Sequence, residues 1–192
     1  MRLARIQHKG TPTWSIIEAD SVYSLTGDVY GSFRKGVKLC SLAEAKLLAP
    51  AEPTLIVACG LNYMGEIKHL GAPIPQRPSL FYKPPVAVLD PGVEIPYPAL
   101  TEKLSHEAEL CCVIKRVTRN VPEDKALEYV LGYTCGNDIG MMDILQLDGG
   151  AITRAKGFDK SAALGPWLET DLDPTRLAIK GRVSGKTIQD SN

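Results

Sequence analysis

No apolar run in the 192 residues approaches the roughly 20 that a membrane-spanning helix needs. There is no excess of charge of either sign, because 22 basic residues balance 22 acidic ones. That balance gives no electrostatic case for a nucleic acid or a membrane surface as partner. The N-terminus, MRLARIQHKG, lacks the apolar segment of a signal peptide. The five cysteines, Cys40, Cys59, Cys111, Cys112 and Cys135, include no C-x-x-C pair. Their odd count and mostly apolar surroundings predict buried, reduced thiols of a cytoplasmic protein rather than a disulfide framework. There is no G-x-G-x-x-G and no serine-centred nucleophile elbow. Gly185-Lys186-Thr187 fails as a phosphate loop, because Lys180 stands where that motif needs glycine.

What the chain does have is a run of acids in one stretch, Ser105 to Asp143. Glu107 and Glu109 open it on an expected strand, where residues two apart share a face. Cys111 and Val113 follow on that face, and a third acid, Asp138, sits in the polar turn Cys135-Gly136-Asn137-Asp138. Close carboxylates repel unless a cation or a proton lies between them. Three oxygen ligands suit a hard divalent cation, Mg2+, Mn2+ or Ca2+, and not zinc. A Glu-x-Glu pair alone is most often a solvated face. The run Leu110-Cys-Cys-Val-Ile114, apolar on both faces, predicts instead a buried strand whose acids need a partner.

Length allows one domain, or a small one joined to a larger one. Ala49-Pro-Ala-Glu-Pro53 is the best linker, giving a small unit over 1–50 and a larger one over 54–192. Arg2 to Ile6, Trp14 to Ile17 and Ser21 to Leu25 alternate like strands, and Ser41 is placed to cap a short helix over 42–48. Further on, 54–59 is an apolar strand, 64–70 a short helix, and 80–83 a strand ending at Lys83. Two strand pieces, 87–89 and 93–95, flank the turn Asp90-Pro91-Gly92. Pro122 to Leu131 carries the clearest helix signals, with Ala126, Leu127, Val130 and Leu131 as its buried stripe. The end of the chain reads as a hairpin around Gly185. The content is mostly β with a few helices.

The motifs His106-Glu107-Ala108-Glu109-Leu110, Gly132-Tyr133-Thr134, Asn137-Asp138, Lys156 and Gly165-Pro166 resemble, in order and spacing, the core of the fumarylacetoacetate hydrolase family. The resemblance covers about Leu55 to Gln189, and the first 50 residues resemble the small N-terminal domain of one bacterial and archaeal branch of that family. It implies a mixed β-sandwich roll of α+β type, a homodimer, and a magnesium or manganese site formed by Glu107, Glu109 and Asp138. It implies hydrolysis, isomerisation or decarboxylation of a diketo or 2-hydroxydiene acid, that is, of a 2-oxo acid, with Lys156 balancing negative charge. The branch with this N-terminal domain tips the choice toward an isomerase or hydrolase acting on products of aromatic breakdown.

Three departures from the family pattern stand out. The family's catalytic His and Glu, three residues apart after an Asn-Tyr pair, are reversed here as Glu66 and His69. Both still share a helix face and are the candidate proton-transfer pair. Met142 precedes Asp143 where an arginine is usual. The chain also ends some tens of residues before the family's usual end, which predicts an unpaired sheet edge. These departures keep a second reading open, a metal-binding relative or truncated fragment without activity. A third has the cysteines binding a soft metal.

Overall fold

The computed structural model describes all 192 residues. The strands are β1 (Arg2–His8), β2 (Thr11–Glu18), β3 (Ser21–Gly27), β4 (Phe33–Ser41) and β5 (Leu47–Leu48). They continue with β6 (Ile56–Gly60), β7 (Ser79–Lys83), β8 (Val88–Leu89), β9 (Leu104–Ser105) and β10 (Ala108–Ile114). The last are β11 (Val130–Asp138), β12 (Gly140–Met141), β13 (Ala162–Glu169), β14 (Ile179–Val183) and β15 (Lys186–Ser191). Three short helices, α1 (Met64–Leu70), α2 (Met142–Leu147) and α3 (Ile152–Lys156), lie between them. None is long and apolar enough to cross a membrane.

One sheet runs through both halves of the chain in the order β10-β11-β13-β1-β2-β3-β4, with β5 also on β1 and β8 on β13. β1 is buried on both faces because it lies in the middle of this sheet. Leu3, Ile16, Val29 and Leu168 form one core cluster, and Ala4, Ile6, Ile17 and Val22 another. Each of the Leu, Ile and Val side chains, taken fully out of water, contributes on the order of 1.5–3 kcal/mol. The β1–β13 pairing, Arg2 with Glu169 and Leu3 with Leu168, carries the sheet across the linker. Buried Arg5 donates to the Ala49 carbonyl at 3.0 Å and pairs with Glu52, while the Ala49 N–H donates to Asp90 at 2.7 Å. The linker is therefore stitched to both halves.

Several local expectations are corrected by tertiary pairing. The helix over 42–48 is only a 3-10 turn, Leu42–Glu44, in which the Glu44 carboxylate accepts from the Ser41 N–H and hydroxyl. Leu47 and Leu48 leave it to pair with β1. The helix over 122–131 is a 3-10 segment, Glu123–Tyr129, with no buried residue, and Leu127 is 65% exposed. Val130 and Leu131 belong to β11 instead, because Lys115 donates to the Tyr129 carbonyl at 2.9 Å and draws that end into the ladder. Of the two pieces flanking Asp90, only Val88–Leu89 is a strand. β4 carries no clean alternation, because it bulges opposite Val22 to Leu25 of β3, where the register shifts twice.

Candidate metal and acid–base site

β10 is an edge strand, not a strand buried on both faces: Leu110 and Ile114 are exposed. Its outward polar groups at Ala108 and Leu110 are met by side chains. The Gln189 amide accepts from the Ala108 N–H at 2.8 Å and donates to its carbonyl at 2.9 Å. The Tyr63 hydroxyl accepts from the Leu110 N–H at 3.0 Å. The edge of β10 is thus capped at these two residues. Cys112 and Cys135 are exposed rather than buried, and all five cysteines are free thiols.

The ladder with β11 sets the acids. The Asp138 N–H donates to the Glu107 carbonyl at 2.9 Å, and the Glu107 N–H to Asn137 Oδ1 at 3.1 Å. Glu109 lies opposite Gly136, which shares its face with Asp138 two residues on. A Cβ at Gly136 would come within 2.4 Å of Cys111 Sγ and 3.7 Å of Glu109 Cβ, so glycine leaves the room that the Cys111 sulfur fills beside Glu109.

Two lysines enter from other elements. Lys83 ends β7 on the same face as buried Phe81, and Leu80 and Tyr82 point outward. Its Nζ donates to Asp138 Oδ1 at 2.5 Å and to the Ile139 carbonyl at 3.2 Å. Burial pushes its pKa down, opposed by the Asp138 charge. Lys156 ends α3, where its own carbonyl accepts from buried Ser161 at 2.8 Å. Its Nζ lies 2.6 Å from Glu107 Oε2 and 3.3 Å from Asp138 Oδ2.

The electrostatics follow from this crowding. Burial first, and then the charge of Glu107, push the Glu109 carboxyl up to about 7, while the Tyr63 hydroxyl pulls the other way. Burial pushes Tyr63 itself to about 12. Glu66 is raised as well, by burial and then by Glu107, with Lys156 opposing, so its carboxylate is within electrostatic reach of both. Glu66 and His69 are both exposed on α1, and His69 forms no side-chain hydrogen bond or ion pair. Asp143 serves the fold: it accepts from the Thr101 hydroxyl and from the Glu102 and Ile144 N–H groups, at 2.9 and 3.0 Å for the latter two.

The structure therefore gathers Glu107, Asp138 and Lys156 with Glu109 beside them, sets exposed Glu66 within electrostatic reach of Glu107 and Lys156, and leaves His69 aside. It adds Lys83 and Tyr63. Alternation with Phe81 along β7 was the available signal for Lys83, whereas Tyr63 depends on a contact between α1 and the edge of β10. No three His, Cys, Asp or Glu side chains stand as a ready metal cage, because ammonium groups hold Glu107 and Asp138. The donor set still fits a hard cation. It is all oxygen, and burial first, then the neighbouring charge of Glu107, drives Glu109 toward its protonated form. A groove of about 490 Å³, lined by residues that include Ser105, His106, Ile188 and Gln189, takes in none of these acids.

Comparison with known proteins bears on the family and the fold. The sequence profile described as fumarylacetoacetate (FAA) hydrolase C-terminal matches residues 55–192, and one described as Rv2993c-like, N-terminal, matches 1–50. An uncharacterized protein of Archaeoglobus fulgidus is 44% identical over 151 residues, 79% of this chain and 60% of that protein. The solved structure of 5-carboxymethyl-2-hydroxymuconate delta-isomerase from Mycobacterium smegmatis superposes with TM-score 0.89 at 35% identity, over all of this chain and 75% of that one. That of 2-hydroxyhepta-2,4-diene-1,7-dioate isomerase from Mycobacterium marinum does so with TM-score 0.88 at 32% identity, over all of this chain and 74% of that one. The chain spans 57–60% of the length of the first curated relatives it matches. With most of its length matched by the hydrolase profile, and with the mostly β fold of these isomerases, the chain belongs to the fumarylacetoacetate hydrolase family.

Proposed function

We propose that the chain is a metal-dependent isomerase or hydrolase of 2-oxo acids, the diketo or 2-hydroxydiene acids named above. The observation that carries this reading is the meeting of Glu107 and Asp138 across the β10–β11 ladder, with Glu109 beside them and Lys156 between them. Glu107, Glu109 and Asp138 would hold Mg2+ or Mn2+. When bound, that ion supplies Lewis-acid polarisation of a substrate carbonyl and a template for the 2-oxo acid end.

The remaining work falls to the protein. Lys156 balances negative charge that builds on substrate oxygen, in a site where burial strengthens each charge interaction. Glu66, at the rim and with a raised pKa, takes up or returns the proton that isomerisation or C–C hydrolysis moves. Lys83 and Tyr63 hold Asp138 and Glu109 in place. Two isomerases among the structural neighbours favour isomerisation.

A non-catalytic, metal-binding reading is favoured by one observation, the exposed and unpartnered His69. Calorimetric titration with Mn2+, then with oxalate as mimic of the 2-oxo acid end, tests the site. Turnover of 2-hydroxydiene dioates then separates the readings. Glu109→Ala removes metal binding under both, and removes turnover only under the first. A folded chain that binds neither Mn2+ nor oxalate would sink both.

A further inference from the structure

Two lysines meet at Asp138, and they are held differently. Lys83 is 1% exposed and has a second anchor that no ligand can take away, the Ile139 main-chain carbonyl at 3.2 Å. It comes from a strand whose backbone is paired with β6 along its whole length. The main-chain anchor of Lys156 is weaker. Its Nζ rests on Glu107 Oε2 at 2.6 Å and Asp138 Oδ2 at 3.3 Å, with the Asp138 carbonyl only at 3.5 Å. On one side the chain beneath it is bare backbone: a Cβ at Gly140 would lie 2.8 Å from Lys156 Cε and 3.1 Å from Nζ.

An ammonium between two carboxylates of facing strands sits where a divalent cation would find those same oxygens. The two cannot share the place. They repel as like charges at short range, and each needs the lone pairs the other uses. Without either, Glu107 would be left partly buried with no ion-pair partner, which is costly, while Asp138 would keep Lys83.

We infer that Lys156 is a built-in counter-ion for the metal site, which yields Glu107 and Asp138 to the cation and is thereby freed to meet the anionic end of the substrate. This rests on the metal-site reading proposed above. Lys83 stays on Asp138 throughout. One side chain then couples the two binding events: metal affinity is lowered by the lysine that anion affinity requires.

The test uses Mn2+ alone, then oxalate, on the chain and on Lys156→Gln and Lys156→Arg. Lys156→Gln should bind Mn2+ roughly tenfold tighter or more, because no ammonium competes, and should then bind oxalate more weakly. Lys156→Arg, which keeps the charge, should bind Mn2+ near the parent value. Should Lys156→Gln need Mn2+ to fold, that supports the inference too, as Glu107 then has no other partner. Equal or weaker Mn2+ binding by folded Lys156→Gln overturns it and leaves the metal site standing. A parent chain that binds no Mn2+ removes the metal site itself. Side-chain ammonium NMR with diamagnetic Mg2+ gives an independent readout. On saturation the Lys156 resonance should shift or lose its protection from exchange while that of Lys83 persists. Two unchanged resonances at saturation would overturn the displacement.

Discussion

The side-chain amide of Gln189 occupies both backbone groups of Ala108, accepting from its N–H at 2.8 Å and donating to its carbonyl at 2.9 Å. A residue of the β14–β15 hairpin thereby acts as a substitute strand for the edge that presents Glu107 and Glu109. Gln189→Met keeps the volume and removes both bonds. Unsatisfied, part-buried backbone groups cost about 1–3 kcal/mol, so urea denaturation should show a loss of that order. Mn2+ affinity should fall with it. An unchanged affinity would separate this contact from the site.

Tyr63 makes a smaller version of the same contact, at Leu110. Tyr63→Phe should cost about 0.5–1.5 kcal/mol by denaturation, since Leu110 is exposed and water can take the place of the hydroxyl. The hydroxyl also lowers the Glu109 pKa. Its removal should therefore raise that pKa above about 7, seen in carbon-13 carboxyl titration of the metal-free protein. A downward shift would count against the hydrogen bond.

Lys83 and Asp138 are a buried pair, with side chains 2% and 12% exposed. Removing one partner of such a pair typically costs about 3–5 kcal/mol, because the other charge is left behind. Lys83→Met should lose stability on that scale by denaturant melting. Adding Asp138→Asn should restore part of it, since the stranded charge is then gone. Additive losses in the double variant would mean that the two do not act as a pair.

The raised carboxyl of Glu109 makes metal-free stability depend on pH. Its folded pKa is about 7 against an ordinary 4.5, so the folded chain holds a proton that the unfolded chain has released in between. That contribution to stability is fully present below 4.5 and is lost as pH rises through about 7. Glu66 acts in the same direction. Thermal melts of chelator-treated protein should show this decline, and Glu109→Gln should flatten most of it. Adding Mg2+ should reverse the trend, because cation binding needs the deprotonated acid.

Gly140→Ala probes Lys156 without touching its charge. The new Cβ would meet Lys156 Cε at 2.8 Å, and the flexible end of the lysine must move aside. Oxalate affinity of the Mn2+-loaded protein should fall several-fold. The melting temperature should move little if the lysine alone gives way. A large drop in melting temperature with normal oxalate binding would place the strain in β12 instead.

What the residue pattern alone determined was the class of the fold and most of the side chains of the candidate site. Period-two alternation marked β1, β2 and β3, the Ser184-Gly185 turn marked the last hairpin, and the spacing of Glu107, Glu109, Asp138 and Lys156 singled out side chains that do meet. These signals are local, or are carried by the family resemblance. What only the tertiary structure decided was which partner each stretch finds. Leu47 and Leu48 join β1 rather than extending a helix, and Val130 and Leu131 join β11, because a pairing strand outweighs a few tenths of a kcal/mol of helix preference. β10 proved to be an edge because its neighbours are side chains, Tyr63 and Gln189, some 47 and 81 residues away in sequence. Lys83 reached Asp138 across 55 residues, and His69 stayed outside although it shares a short helix with Glu66. A side chain's spacing along the chain says which face it takes, and only the packing of that face against the rest says what it meets.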